Sequence, residues 1–276
     1  MPLLERAGAR IYYEEVGEGD AILTNHGLSE NGTYWSLPGV TDALARDYRV
    51  VSMDMRAHGR SEITDGARAG LDADTMAEDI GALADALGIE RFHLLTHATG
   101  GMVALNYARK HHARLLSLML TDTGSATAIA PDERTAARLR EAFANHFQGK
   151  TWSELLPSFR SSPEPFMTRL SAAPRPTQAW AFVDAIMQRG NPDELAAFCR
   201  SFYTDPDPHV DELRHISCRT LVLLGEHDTL FIEPSELLAK EIPNAKHVVM
   251  ESLGHMTALE APDRLIAELH AFLEDR

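Results

Sequence analysis

Short aliphatic runs spaced between longer helical patterns constrain this chain more than any other feature. "AILTN" (21–25), "RVVSMD" (49–54), "FHLLT" (92–96), "LLSLMLT" (115–121), "RTLVLLG" (219–225) and "KHVVM" (246–250) are nearly continuous in apolar residues. A strand covered on both faces needs apolar side chains pointing both ways, so these runs read as buried parallel strands. "IYYEEVG" (11–17) reads as an earlier strand that pairs antiparallel at one edge. Between them, Met76, Ile80, Leu83 and Leu87 recur at helical spacing, with Asp74 or Thr75 to cap the start and Gly88 the end. Residues 99–111 form a second helix. A late helix begins near Pro262 and buries Leu265, Ile266, Leu269 and Phe272. Strand alternating with helix predicts an α/β fold with a mostly parallel central sheet flanked by helices.

The alternation stops between 125 and 213. That segment has helical patterns, many prolines and most of the bulky aromatics, but no strong strand. It reads as a helical cap subdomain inserted into a core domain made of 1–124 and 214–276. A chain of 276 residues is long enough for both.

Charge excludes some functions. The 41 acidic residues outnumber the 26 basic ones, for a formal charge of −15. Such a surface does not steer toward phosphate backbones or anionic membranes, so neither nucleic acid nor membrane is an expected partner. No run reaches the roughly 18 apolar residues of a membrane span, and no secretory signal is visible in "MPLLERAGAR". Cys199 and Cys218 lack CxxC spacing, which points to buried reduced thiols in a cytoplasmic protein rather than a disulfide or zinc site. No metal or cofactor motif is present, so none is expected. A homo-oligomer is left open.

Chemistry is concentrated in four places. The strand "FHLLT" runs into Thr96-His97-Ala98-Thr99-Gly100-Gly101 and then a helix, a tight turn whose tip, Ala98, stands at the head of the sheet. Thr96 is bulkier than the glycine such turns usually carry. "NHGLSENGTYW" follows the strand at 21–25 and builds a loop facing that tip. The backbone N–H groups of Leu28 and Thr99 are the expected oxyanion donors. "GEHD" places Asp228, and "GHM" places His255, just past successive strands. Ligands bind beyond the carboxyl ends of parallel strands, so one edge receives all of these residues.

With "NHG", "DMRAHGRS", "THATGG", "GEHD" and "GHM" in this order and spacing, the chain resembles the α/β-hydrolase fold family, in its small esterase, lactonase and perhydrolase branch. The resemblance covers essentially the whole chain, with 125–213 as the variable cap. It implies that position 98 is the nucleophile, His255 the base and Asp228 the acid that orients it. Asp122, which serves as the acid in some relatives, is the other candidate. The departure is Ala98, where the family has serine. The chain as written is therefore expected to be a nucleophile-to-alanine form of a serine hydrolase that binds substrate and barely turns it over. The alternative is a natural non-hydrolytic relative: a small-molecule-binding protein, or a cofactor-free oxygenase or lyase that uses His255 as base.

The cap aromatics predict an apolar, medium-sized pocket for a small hydrophobic ester or lactone. Trp35, His97, Trp152, Trp180 and Met256 are the candidate substrate contacts. His97 also has a plainer role open to it, in packing. Arg56 and His58 are expected to fix a loop by hydrogen bonding.

Overall fold

A computed structural model describes residues 2–125, 132–163, 165–203 and 209–275. Among them, nine strands form one sheet: β1 (Leu3–Arg6), β2 (Ala9–Val16), β3 (Ala21–Asn25), β4 (Arg49–Met53), β5 (Glu62–Ile63), β6 (Phe92–His97), β7 (Leu115–Thr121), β8 (Arg219–Gly225) and β9 (Ala245–Met250). Their order is β1-β2-β4-β3-β6-β7-β8-β9, with the two-residue β5 pairing to β2. Neighbours from β4 through β9 pair in parallel, while β2 meets β4, β1 and β5 antiparallel. β2 therefore closes the parallel part of the sheet as expected, but β1 lies outside it. Neither β1 nor β5 is long or apolar enough to stand out in the sequence.

Alternate residues of each strand feed two apolar layers, one on each sheet face. Leu23, Leu94, Leu118 and Val222 pack on one side, and Ile22, Leu95, Met119 and Leu221 on the other. The helices Ala73–Ala86 and Thr99–His111 cover the first layer, and Pro262–Glu274 covers the second. Each fully buried Leu or Ile contributes about 1.5–3 kcal/mol relative to exposure.

Two local expectations are corrected. The helix Ala73–Ala86 is capped by Asp72, whose side chain accepts the Thr75 N–H, not by Asp74 or Thr75. Gly88 follows its end with φ +68°, a conformation that favours glycine. β9 is not a buried strand. It is the outer edge of the sheet, and Val249 is 50% exposed while Met250 is buried, because among the described residues no further strand pairs beyond it.

Between β7 and β8 the described residues contain no strand. The helices Glu133–Phe147, Trp152–Ser161, Pro176–Met187 and Pro192–Phe202 fill this segment. Positions 126–131, 164 and 204–208 of the expected cap lie outside the described residues. Cys199 and Cys218 are both buried and free, and burial pushes the Cys199 thiol up to about 12.

Candidate active site

Parallel strands end on the same side, so the loops after β3, β6, β7, β8 and β9 meet at one edge. The turn after β6 is sharp. Ala98 holds φ 47° and ψ −118°, a backbone conformation costing of order 1–3 kcal/mol in a residue with a side chain. The Ala98 N–H donates to the Thr121 carbonyl at 3.0 Å, and its own carbonyl accepts from Gly101 N–H and Thr123 Oγ1. Small residues follow for steric reasons. A Cβ on Gly100 would lie 2.4 Å from the His26 carbonyl oxygen, and one on Gly101 2.6 Å from the Thr123 side chain. Thr96 fits because its hydroxyl turns aside to the Met119 carbonyl.

The loop after β3 is held from within. His26 Nδ1–H donates to the Gly27 carbonyl, and His26 Nε2 accepts the Met55 N–H at 2.9 Å. Burial pushes this imidazole down to about 4, so the ring is neutral, as those two bonds require. A Cβ on Gly27 would stand 3.1 Å from the Ala98 methyl carbon, which shows how closely loop and turn approach. The N–H groups of Leu28 and Thr99 have no hydrogen-bond partner among the described residues. Thr99 also opens the helix Thr99–His111, whose dipole favours negative charge at this end.

His255 and Asp228 come from the loops after β9 and β8. His255 Nδ1 lies 2.8 Å from Asp228 Oδ2, and the side chains are 4% and 2% exposed. His255 Nε2 has no hydrogen-bond partner among the described residues. Phe231 stacks on the ring at 5.3 Å, and Phe166 leans on it at 4.9 Å. Asp122 does not reach the His255 ring. It accepts the Gly225 N–H at 3.0 Å and the Thr257 hydroxyl at 2.6 Å.

Ala98, Thr99, Leu28, His255 and Met256 line one cavity of about 250 Å³. The rest of its wall is mostly apolar, with the aromatic rings of Phe143, Phe147, Phe159, Phe166, Tyr203 and Phe231, and Glu30 and His146 are its ionisable members. Four of the five residues expected to contact substrate do not line it. Trp35 is fully buried and donates its indole N–H to the Asn25 carbonyl. Trp152 donates to the Gly190 carbonyl, and Trp180 to the Ser171 hydroxyl beneath the Arg160 guanidinium. His97 is fully buried below the cavity floor. A buried indole needs a partner for its N–H, and these partners lie away from the cavity. The sequence pattern of aromatics does not reveal which way each ring faces.

Sequence reasoning missed Glu30 and Phe231, and counted Phe166 and Tyr203 among the cap aromatics without singling them out as lining residues. The Tyr203 hydroxyl lies 3.0 Å from Thr99 Oγ1, joining the helical segment to the turn. Glu30 looks like an ordinary loop acid in "HGLSE", yet it is 3% exposed. Arg56 is wholly buried, pairs with Asp79 through two bonds of 2.6 and 3.0 Å, and donates to the Ala7 and Ala69 carbonyls. His58 Nδ1–H donates to the Arg56 carbonyl, and burial pushes the ring down to about 3. Among the described residues, no group of three His, Cys, Asp or Glu is placed to hold a metal, and no helix is long and apolar enough to cross a membrane.

A sharp strand-to-helix turn, a buried imidazole backed by a carboxylate, and unspent N–H groups around one apolar cavity make the layout of a hydrolase. The chain belongs to the alpha/beta hydrolase fold family, whose model matches residues 20–262. It is similar to a proline iminopeptidase from Pestalotiopsis fici, with 26% identity over 287 residues and 99% of each chain covered. Among solved structures it is similar to a thermophilic esterase from Thermogutta terrifontis: TM-score 0.77, 26% identity, covering 96% of this chain and 93% of that one. It is also similar to Est816, described as an N-acyl homoserine lactone degrading enzyme: TM-score 0.72, 26% identity, covering 98% of this chain and 100% of that one.

Proposed function

We propose that the site is built for acyl transfer from a hydrophobic, medium-sized carboxylic ester or lactone, and that the chain as it stands is the nucleophile-less form of that enzyme. The observation that carries this reading is His255, oriented by Asp228 at 2.8 Å, on the same cavity as the strained turn at Ala98. The esterase and lactonase similarities support the substrate class, as does the apolar cavity wall.

With serine at position 98, His255 takes the hydroxyl proton as the oxygen attacks the carbonyl. The Leu28 and Thr99 N–H groups bind the oxyanion. His255 then protonates the leaving alcohol, and afterwards activates a water that releases the acid. Asp228 keeps Nδ1 protonated and the ring aligned throughout. With alanine there is no attacking oxygen, and turnover falls on the order of a million-fold while binding persists.

The test is Ala98→Ser assayed on p-nitrophenyl esters and on lactones of graded chain length. A large gain in hydrolysis is expected; no gain overturns the reading. The second reading rests on the Ala98 methyl itself. It takes the chain as a small-molecule-binding protein, or as an oxygenase or lyase with His255 as a non-covalent base. Activity in the Ala98 form that is lost in His255→Gln and not raised by Ala98→Ser would favour it.

A further inference from the structure

Under the cavity floor lies a buried charge pair that acyl transfer, as described, leaves unused. Glu30 Oε2 is 3.0 Å from His97 Nδ1 and accepts the Gly27 N–H at 2.6 Å. His97 Nε2 is 2.9 Å from the His255 backbone carbonyl. A carbonyl only accepts, so Nε2 carries a proton. Glu30 Oε2 accepts the Gly27 N–H and faces Nδ1, and with Glu30 ionised that nitrogen donates as well. Both ring nitrogens protonated make an imidazolium facing a carboxylate.

We propose that Glu30 and His97 are a positioning pair whose ionic bond clamps the loop carrying Leu28 to the loop carrying His255, holding a fixed separation across position 98. Three consecutive hydrogen bonds, from Gly27 to Glu30, His97 to Glu30 and His97 to His255, join these segments through the residue next to Ala98. The space between them is full: a Cβ on Gly27 would meet Glu30 Oε2 at 2.9 Å, His97 Nδ1 at 3.0 Å and the Ala98 methyl at 3.1 Å. The pair also protects the chemistry. Glu30 lines the cavity near Leu28, where a lone negative charge would oppose an oxyanion, and the imidazolium offsets it.

Every charged or titratable group around His97 is compatible with this state. Burial opposes charging the ring, but the Glu30 carboxylate, with Asp122 behind it, raises His97 to about 9. Burial likewise opposes Glu30, and His97 with the Gly27 N–H brings it below the ordinary carboxylate range. Asp122 Oδ2 is 3.7 Å from Nε2, farther than Glu30 is from Nδ1, and burial raises that carboxyl above the ordinary range. Tyr34 stacks on the ring at 4.2 Å with its phenol raised, chiefly by burial; His26 is neutral; the His255 ring is 5.0 Å away.

The first arm of the test uses the protein as it stands, with 15N-labelled histidine and His97 assigned by its loss in His97→Gln. Doubly protonated ring shifts are expected through pH 8. The Leu28 amide and His255 ring signals are expected to move together with His97 as it loses its proton near pH 9. Neutral shifts at pH 7, or Leu28 and His255 signals that ignore the His97 titration, overturn the proposal. The second arm rests on the acyl-transfer reading and uses the Ala98→Ser background. Glu30→Gln is expected to lower kcat about a hundredfold with KM changed less than about threefold, as misplacement of reacting groups does. Adding His97→Gln, which restores an uncharged hydrogen-bonding pair, is expected to recover part of the loss. An unchanged kcat in Glu30→Gln overturns the proposal. Inactivity of Ala98→Ser alone defeats the acyl-transfer reading only, and the resonance arm still decides the pair.

Discussion

Asp228 Oδ2 lies 2.8 Å from His255 Nδ1, and both side chains are almost wholly buried. This bond selects the ring tautomer: with Nδ1–H donated to the carboxylate, Nε2 is the basic nitrogen left for the cavity. In the Ala98→Ser background, Asp228→Asn is expected to lower kcat about 10⁴-fold on a p-nitrophenyl ester, the size of effect seen when such a carboxylate becomes an amide. A loss under tenfold would show that Asp228 does not orient the ring.

The turn at Ala98 holds strain that glycine would relieve. At φ 47° and ψ −118° the alanine methyl is crowded by its own backbone. Ala98→Gly is expected to stabilise by about 1 kcal/mol, a rise in Tm of roughly 2 °C for a chain this long. Calorimetry reads this directly, and a lower Tm would show that the turn is unstrained.

Arg56 and Asp79 are each about 1% exposed, and their pair is bidentate. Removing one partner strands the other charge in the interior. Asp79→Ala is expected to cost about 3–5 kcal/mol in urea unfolding. A cost below about 1 kcal/mol would mean that water reaches the guanidinium.

Stability is expected to peak near pH 6.5 and to fall on both sides. His97 is raised from the ordinary 6.5 to about 9, so its contribution is full below 6.5 and fades as pH climbs through 9. His26 and His58 are lowered by burial to about 4 and 3. Their contribution is full above 6.5 and fades as pH falls through those values, because the unfolded chain then binds more protons. Tm measured from pH 4 to 10 checks both limbs, and His97→Gln should flatten the alkaline one alone. A wild-type alkaline limb in that variant would contradict the assignment.

Local pattern carried most of the architecture. The strands at 21–25, 92–96, 115–121 and 219–225 are legible because a strand buried on both faces is apolar at most of its positions rather than at alternate ones. "KHVVM" misled because an edge strand can share that composition without being covered. The site edge was legible for a topological reason: residues just past parallel strands meet wherever the sheet is placed, so Ala98, Asp228 and His255 needed only their positions in the chain. Their neighbours did not follow that rule. Glu30 and His97 are 67 residues apart, His97 and the His255 carbonyl 158, Asp122 and Thr257 135. Which carboxylate faces the imidazole, which aromatic rings turn toward the cavity, and whether a loop glutamate is solvated or buried against a charged histidine depend on side-chain directions in three dimensions. Residue type and spacing record chain position and leave those directions unrecorded, so only packing fixes them.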